Sequence, residues 1–98
     1  MKYNVVLSSY AARDLAILAD ILSPHPNKAR RLFKEIEDKL DLLDDNPYMC
    51  PAFQANPKYR RMNLEDHALF YTVDEEKREI SIFRVIYAKR NIEKLLGK

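Results

Sequence analysis

The sequence predicts an α+β fold of order β-α-α-β-β-β-α, with two N-terminal helices packed on one face of a mostly antiparallel four-stranded sheet. Two apolar stripes at helical spacing occupy the first half of the chain. Three short β-rich runs follow at hairpin spacing. At 98 residues and 47% hydrophobic content the chain suits a single domain, residues 1–98, with one modest core.

The first run, "YNVVL" (3–7), is β-branched and short, as a buried strand is. Ser8 or Ser9 then offers a helix N-cap. Ala11, Leu15, Leu18 and Leu22 recur at helical spacing, and Ile17 and Ile21 are expected to widen the same apolar face. "SPHPN" (23–27) ends this helix, because each proline disfavours helix in the residue before it. His25 falls in that surface turn. Asn27 is the expected cap of a second helix with Ala29, Phe33, Ile36, Leu40 and Leu43 on its apolar stripe. Arg31/Glu35, Lys34/Asp38 and Glu35/Lys39 are spaced to support its outer face. Asn46-Pro47 stops it.

"NPYMCPAFQANPK" (46–58) has three prolines and no period, and reads as an ordered loop. "YRRMNL" (59–64) places Met62 and Leu64 on one face, Arg61 and Asn63 on the other. "HALFYTV" (67–73) places Leu69, Tyr71 and Val73 on one face. "EISIFRVI" (79–86) is apolar on both faces, as a central strand is. "KRNIEKLL" (89–96) is expected as a terminal helix with Ile92, Leu95 and Leu96 inward. The sheet face away from the long helices is expected to stay partly open, bordered by Arg61 and the end of the last strand.

Charge is uneven. Residues 1–57 carry seven Lys/Arg against eight Asp/Glu, and residues 58–98 carry ten against seven. The basic half suits an acidic or nucleic-acid partner, or simply a solvated surface of mixed sign. The single Cys50 forms no internal disulfide and fits a reducing compartment. No apolar run is long enough to span a bilayer, and the N-terminus carries no signal-peptide core, so a cytoplasmic location is expected. With one glycine there is no phosphate-cradling loop, and no Cys/His pair has zinc spacing. No metal or cofactor is expected.

The chemistry-bearing residues gather where the last strand stops. Arg84 lies inside "IFRVIYAKRN" (82–91), and Tyr87, Lys89 and Arg90 follow it. Arg84 has two readings: a phosphate-binding cation, or a structural arginine paired to a helix carboxylate. Lys89 and Arg90 read as a solvated first turn or as an anion-binding surface, since cations at that place oppose the helix dipole.

The segments Tyr59-Arg60-Arg61-Met62, Leu69-Phe70-Tyr71-Thr72-Val73 and Arg84-Val85-Ile86-Tyr87-Ala88-Lys89-Arg90-Asn91 together resemble the RelE/ParE superfamily of bacterial type II toxins. "LSSYAARDLAILADIL" resembles the family's first helix and "NPYMCPAF" its proline-containing loop. The resemblance covers nearly the whole chain. It implies a toxin that arrests growth, with a link to plasmid stabilisation, and a cognate antitoxin that wraps an extended or helical segment over it. Such an antitoxin is expected to be acidic and to cover part of Arg60, Arg61, Lys89 and Arg90. RelE-like members are mRNA endonucleases acting at the ribosome; ParE-like members poison DNA gyrase without nuclease chemistry. A decayed toxin that only binds its antitoxin is a third reading.

The mRNA endonuclease is the first expectation here. Metal-free RNA cleavage needs a base, an acid and cations around the phosphorane, with a well-placed acid or base giving about 10²–10⁴-fold. Arg60, Arg84, Tyr87 and Arg90 are the candidate catalytic residues, and Arg61, His67 and Lys89 the candidates for RNA or partner binding. A tyrosine base needs surroundings that depress its ordinary pKa of about 10. The chain departs from the nuclease pattern in three places. Ala68 stands where many RelE-like nucleases have arginine, Tyr87 where many have histidine, and "EKLLGK" where some have a late tyrosine.

Overall fold

A computed structural model describes residues 3–96. Gly97, the sole glycine, lies outside them. The order is β1 (Asn4–Leu7), α1 (Ser9–Ile21), α2 (Pro26–Asp45), β2 (Arg60–Asn63), β3 (His67–Asp74), β4 (Glu79–Tyr87) and α3 (Ile92–Leu95). It matches the order expected from the sequence. The sheet runs β1-β4-β3-β2, with β1 parallel to β4 and the other pairs antiparallel.

Ser8 caps α1 by accepting the Ala11 N–H at 3.0 Å. The cap of α2 differs from expectation. Pro26 takes the first helical position, where its fixed φ suits the helix and its missing N–H is no loss. His25 becomes the cap residue, without a side-chain bond, and Asn27 Oδ1 accepts from Arg30 instead, at 3.0 Å. On the outer face of α2, Lys34 pairs with Asp38 at 3.1 Å and Glu37 at 3.7 Å.

The main core lies between helices and sheet. Ala11, Leu18 and Leu22 of the first helical segment meet Leu32, Ile36 and Leu43 of α2. Both layers close on Met62, Leu64, Leu69, Tyr71, Ile80, Ile82 and Val85. Ile82 and Val85 are three residues apart yet share this face. A bulge makes that workable: Phe70 pairs with Arg84 and Tyr71 with Ile82, leaving Phe83 as the extra residue. The Tyr71 hydroxyl donates to the Pro47 carbonyl at 2.9 Å, which fastens the proline loop to the core.

The opposite face of the sheet is not open. Tyr59, Ala68, Phe70, Ile86, Ile92 and Leu96 form a second buried cluster, with Phe53, Phe83 and Leu95 packed against it. The proline loop supplies Phe53, whose ring meets Phe70 edge-on at 5.1 Å, while Tyr59 stacks on Phe83 at 4.8 Å. Helix α3 is shorter than the expected 89–96. Asn91 Oδ1 accepts from the Lys94 N–H and starts the helix there. Lys89 and Arg90 therefore lie in a turn before the cap, closed by Arg90 N–H donating to Tyr87 O at 3.0 Å.

At the far end of the sheet, Glu75 joins the β3–β4 turn to two other segments. It accepts from Tyr3 at 2.7 Å and from Tyr48. Arg78, whose φ of 52° is in the left-handed region, lies 4.5 Å from the Tyr3 ring centre. The turn thus trades an unfavoured backbone angle for a fixed stack.

Candidate functional site

β4 outruns its parallel neighbour. β1 ends at Leu7, opposite Ile82, while β4 continues to Tyr87. An exposed strand edge would leave backbone donors unpaired there. α1 fills the lane instead. Ser8 Oγ donates to Phe83 O at 2.8 Å, and Asp14 Oδ2 accepts the Val85 N–H at 3.0 Å. Asp14 also takes Arg84 in a two-point bridge at 2.7 and 3.0 Å.

This packing leaves a cleft of about 330 Å³ between α1 and the end of β4. Tyr10, Arg13, Ile17 and Ile21 line it from α1, and Arg84, Tyr87, Arg90 and His67 from the strand side. A neighbouring cleft of about 400 Å³ shares Leu18, Ile21, His67, Tyr87 and Arg90 and runs on past Lys28 and Leu32. Ile17 and Ile21 do not widen the core face of α1 as the sequence led us to expect. They are 49% and 63% exposed, and Tyr10 is 59% exposed. The helix crosses the strand end rather than lying under a full sheet, so its outer apolar residues find no cover.

His67 and Tyr87 are cross-strand partners, their rings edge-to-face at 5.6 Å. His67 Nδ1 is buried with no hydrogen-bond partner among the described residues. Burial pushes the imidazole pKa below its ordinary value; nearby Asp66 opposes this and Lys28 adds to it. His67 is therefore held toward its neutral form. Tyr87 is 43% exposed.

The site residues expected from sequence separate into four groups. Arg84, His67, Tyr87 and Arg90 meet in the cleft, but Asp14 occupies the Arg84 guanidinium, which answers to the structural reading of that arginine. Arg60 is elsewhere. It pairs with Tyr71, four rows along β3 from His67, a separation of roughly 13 Å at strand rise. There it donates to Cys50 O at 2.6 Å and covers the Tyr48 ring at 4.8 Å. Arg61 points to the other face, donating to Asn63 and lying 5.9 Å from the Phe53 and Phe70 rings. Lys89 is exposed and lines neither cleft. Arg13 and Tyr10 were not foreseen. Their only sequence signal is that they continue the Ile17/Ile21 face of α1, Arg13 one turn before Ile17 and Tyr10 about two, and that face was assigned to the core.

A small α+β layer fold with a cleft of aromatic and guanidinium groups at a strand end defines a binding scaffold whose role is set by those groups and not by the fold. The sequence model described as "ParE toxin of type II toxin-antitoxin system, parDE" matches residues 5–92, and the chain belongs to that family. No curated protein sequence matches the chain. Among solved structures, the chromosomal ParDE toxin–antitoxin system of P. aeruginosa aligns with TM-score 0.74 at 20% identity, covering 90% of this chain and 98% of that one. The intact E. coli RelBE toxin–antitoxin complex aligns at 0.66 and 18%, covering 90% and 99%. The RelBE2 toxin–antitoxin complex of Mycobacterium tuberculosis aligns at 0.65 and 21%, covering 89% and 99%. At these identities the three structures share the fold with this chain. No helix among the described residues is long and apolar enough to cross a membrane.

Proposed function

We propose that this chain is a toxin that arrests growth by binding a protein target through the α1–β4 cleft, in the manner the ParE resemblance implies for DNA gyrase, and that it is neutralised by a cognate antitoxin. The observation that carries this reading is the dispersal of the nuclease cations. Arg84 is bound by Asp14, Arg60 by the proline loop, and Arg61 lies on the opposite face. RNA cleavage needs several cations converging on one phosphorane, because each preorganised donor contributes on the order of 3 kcal/mol only at the position where charge develops. An exposed apolar stripe flanked by cations suits protein docking, where buried apolar anchors hold the complex and charges steer it.

A second reading keeps one observation in its favour. His67, Tyr87 and Arg90 line one cleft and could serve as proton-transfer, stacking and phosphate groups for mRNA at the ribosome. The two readings part in one experiment. The toxin is induced in bacteria without its antitoxin, and both mRNA integrity and the DNA-damage response are followed. A DNA-damage response with intact mRNA, together with loss of gyrase supercoiling activity in vitro, is expected. Early mRNA fragmentation without that response would establish the nuclease instead, and continued growth would mark a chain that retains antitoxin binding alone.

A further inference from the structure

We propose that Arg13 and Arg90 form the two sides of an anion-binding site across the α1–β4 cleft, and that it takes a carboxylate of an acidic, apolar-flanked segment of the protein target. This rests on the protein-binding reading above and names the chemistry of what enters the cleft. Three guanidinium groups line this space, those of Arg13, Arg84 and Arg90. The carboxylate of Asp14 cancels one of them through its two-point bridge to Arg84. Among the described residues Arg13 and Arg90 are in no salt bridge and donate no side-chain hydrogen bond. The cleft therefore retains two cations with no bonded carboxylate, while Glu65 and Asp66 line the neighbouring cleft that shares Arg90.

They come from separate elements. Arg13 is one residue from Asp14 on α1, and Arg90 sits in the turn after β4, so the Asp14–Arg84 bridge fixes the two supports relative to each other. Between and beside them lie Tyr10, Ile17, Ile21 and Tyr87, four of the large apolar side chains most exposed on the surface. A free phosphate or a nucleic-acid backbone would meet the two cations but waste this apolar surround. A carboxylate carried between apolar side chains satisfies both, and guanidinium recognises it through paired N–H donors. Such cations steer the partner's approach and fix its register, and truncating one of them leaves the partner's carboxylate unpaired in a desolvated place, which speeds dissociation.

The test uses the full chain and purified DNA gyrase, with a single-stranded RNA oligonucleotide as the competing probe. Arg13→Gln is expected to keep the wild-type melting temperature, raise Kd for gyrase by roughly tenfold or more, and weaken growth arrest. Arg13→Lys should restore part of the affinity, and Lys77→Gln, exposed in the β3–β4 turn, should leave it unchanged. Wild-type binding and growth arrest in Arg13→Gln would overturn the proposal. So would an RNA affinity that falls with Arg13→Gln, since that would make the ligand a nucleic-acid phosphate. If the wild-type chain does not bind gyrase, the proposed target is wrong, and growth arrest alone decides the site. Loss in Arg13→Gln with recovery in Arg13→Lys and no RNA binding upholds it; full arrest in Arg13→Gln rejects it.

Discussion

Asp14 on α1 and Arg84 on β4 are 70 residues apart in sequence and joined at two points, 2.7 and 3.0 Å, while the same carboxylate also receives the Val85 N–H. The pair is mostly withdrawn from water, with side-chain exposures of 14% and 20%. Removing one member leaves a charge without its partner in a poorly solvated place. Asp14→Ala, which also orphans the Val85 N–H, is expected to lower stability by about 3–5 kcal/mol. Urea denaturation measures it. A midpoint near that of the wild type would show that the bridge is dispensable and that α1 is held to β4 by its apolar contacts.

The second cluster gives a contrast between buried and exposed apolar residues. Phe70 is fully buried beneath Phe53 and beside Ile92 and Leu96, so Phe70→Ala should cost about 3–5 kcal/mol. Ile21→Ser, on the cleft rim, should change stability by only about half a kcal/mol. Thermal melts of the two variants side by side test the assignment. Similar losses for both would mean that α1 buries a wider face than described.

Tyr71 is buried in the main core, where burial drives its pKa well above the ordinary phenol range, and its hydroxyl serves as a donor to Pro47 O. Tyr71→Phe fills the same space but leaves that carbonyl unpaired. A loss of about 1–3 kcal/mol is expected. Faster proteolysis within residues 46–58 should accompany it, because the loop loses its tie to β3.

His67 links the cleft to pH. Its folded pKa lies below the ordinary 6.5, chiefly through burial, so the unfolded chain binds the proton more readily. Stability from this group is complete above pH 6.5 and declines as pH falls from there through the folded pKa. A unfolding free energy that decreases over this window in the wild type, and less so in His67→Gln, is the expected result. An NMR titration placing the His67 imidazole above 6.5 would reverse the sign and contradict the burial described.

Arg90→Ala and Tyr87→Phe change exposed groups at the strand end. Both should leave stability within about half a kcal/mol of wild type. Both should weaken growth arrest when induced without antitoxin. Arg84→Ala should weaken it too, but through lost stability, which a melt separates from the other two. Full arrest by stable Arg90→Ala and Tyr87→Phe proteins would remove the cleft from function.

By itself the sequence determined the order of elements, the alternation that puts Leu69, Tyr71 and Val73 on the core face, and the stop at Pro47. These follow from local periodicity and backbone preference, which act over a few residues. It also brought Tyr87 and Arg90 into view, because a phenol and cations at the end of an apolar strand stand out without any fold. Only the tertiary structure decided which cations act together. Arg84 is captured by a carboxylate from a distant helix, and Arg60 and Arg61, adjacent in sequence, are sent to opposite faces by the strand's period of two. The same holds for Ile17, Ile21 and Arg13. A helical stripe specifies one side of α1 but not how much of it a neighbour covers, and that depends on β4 extending past the end of β1.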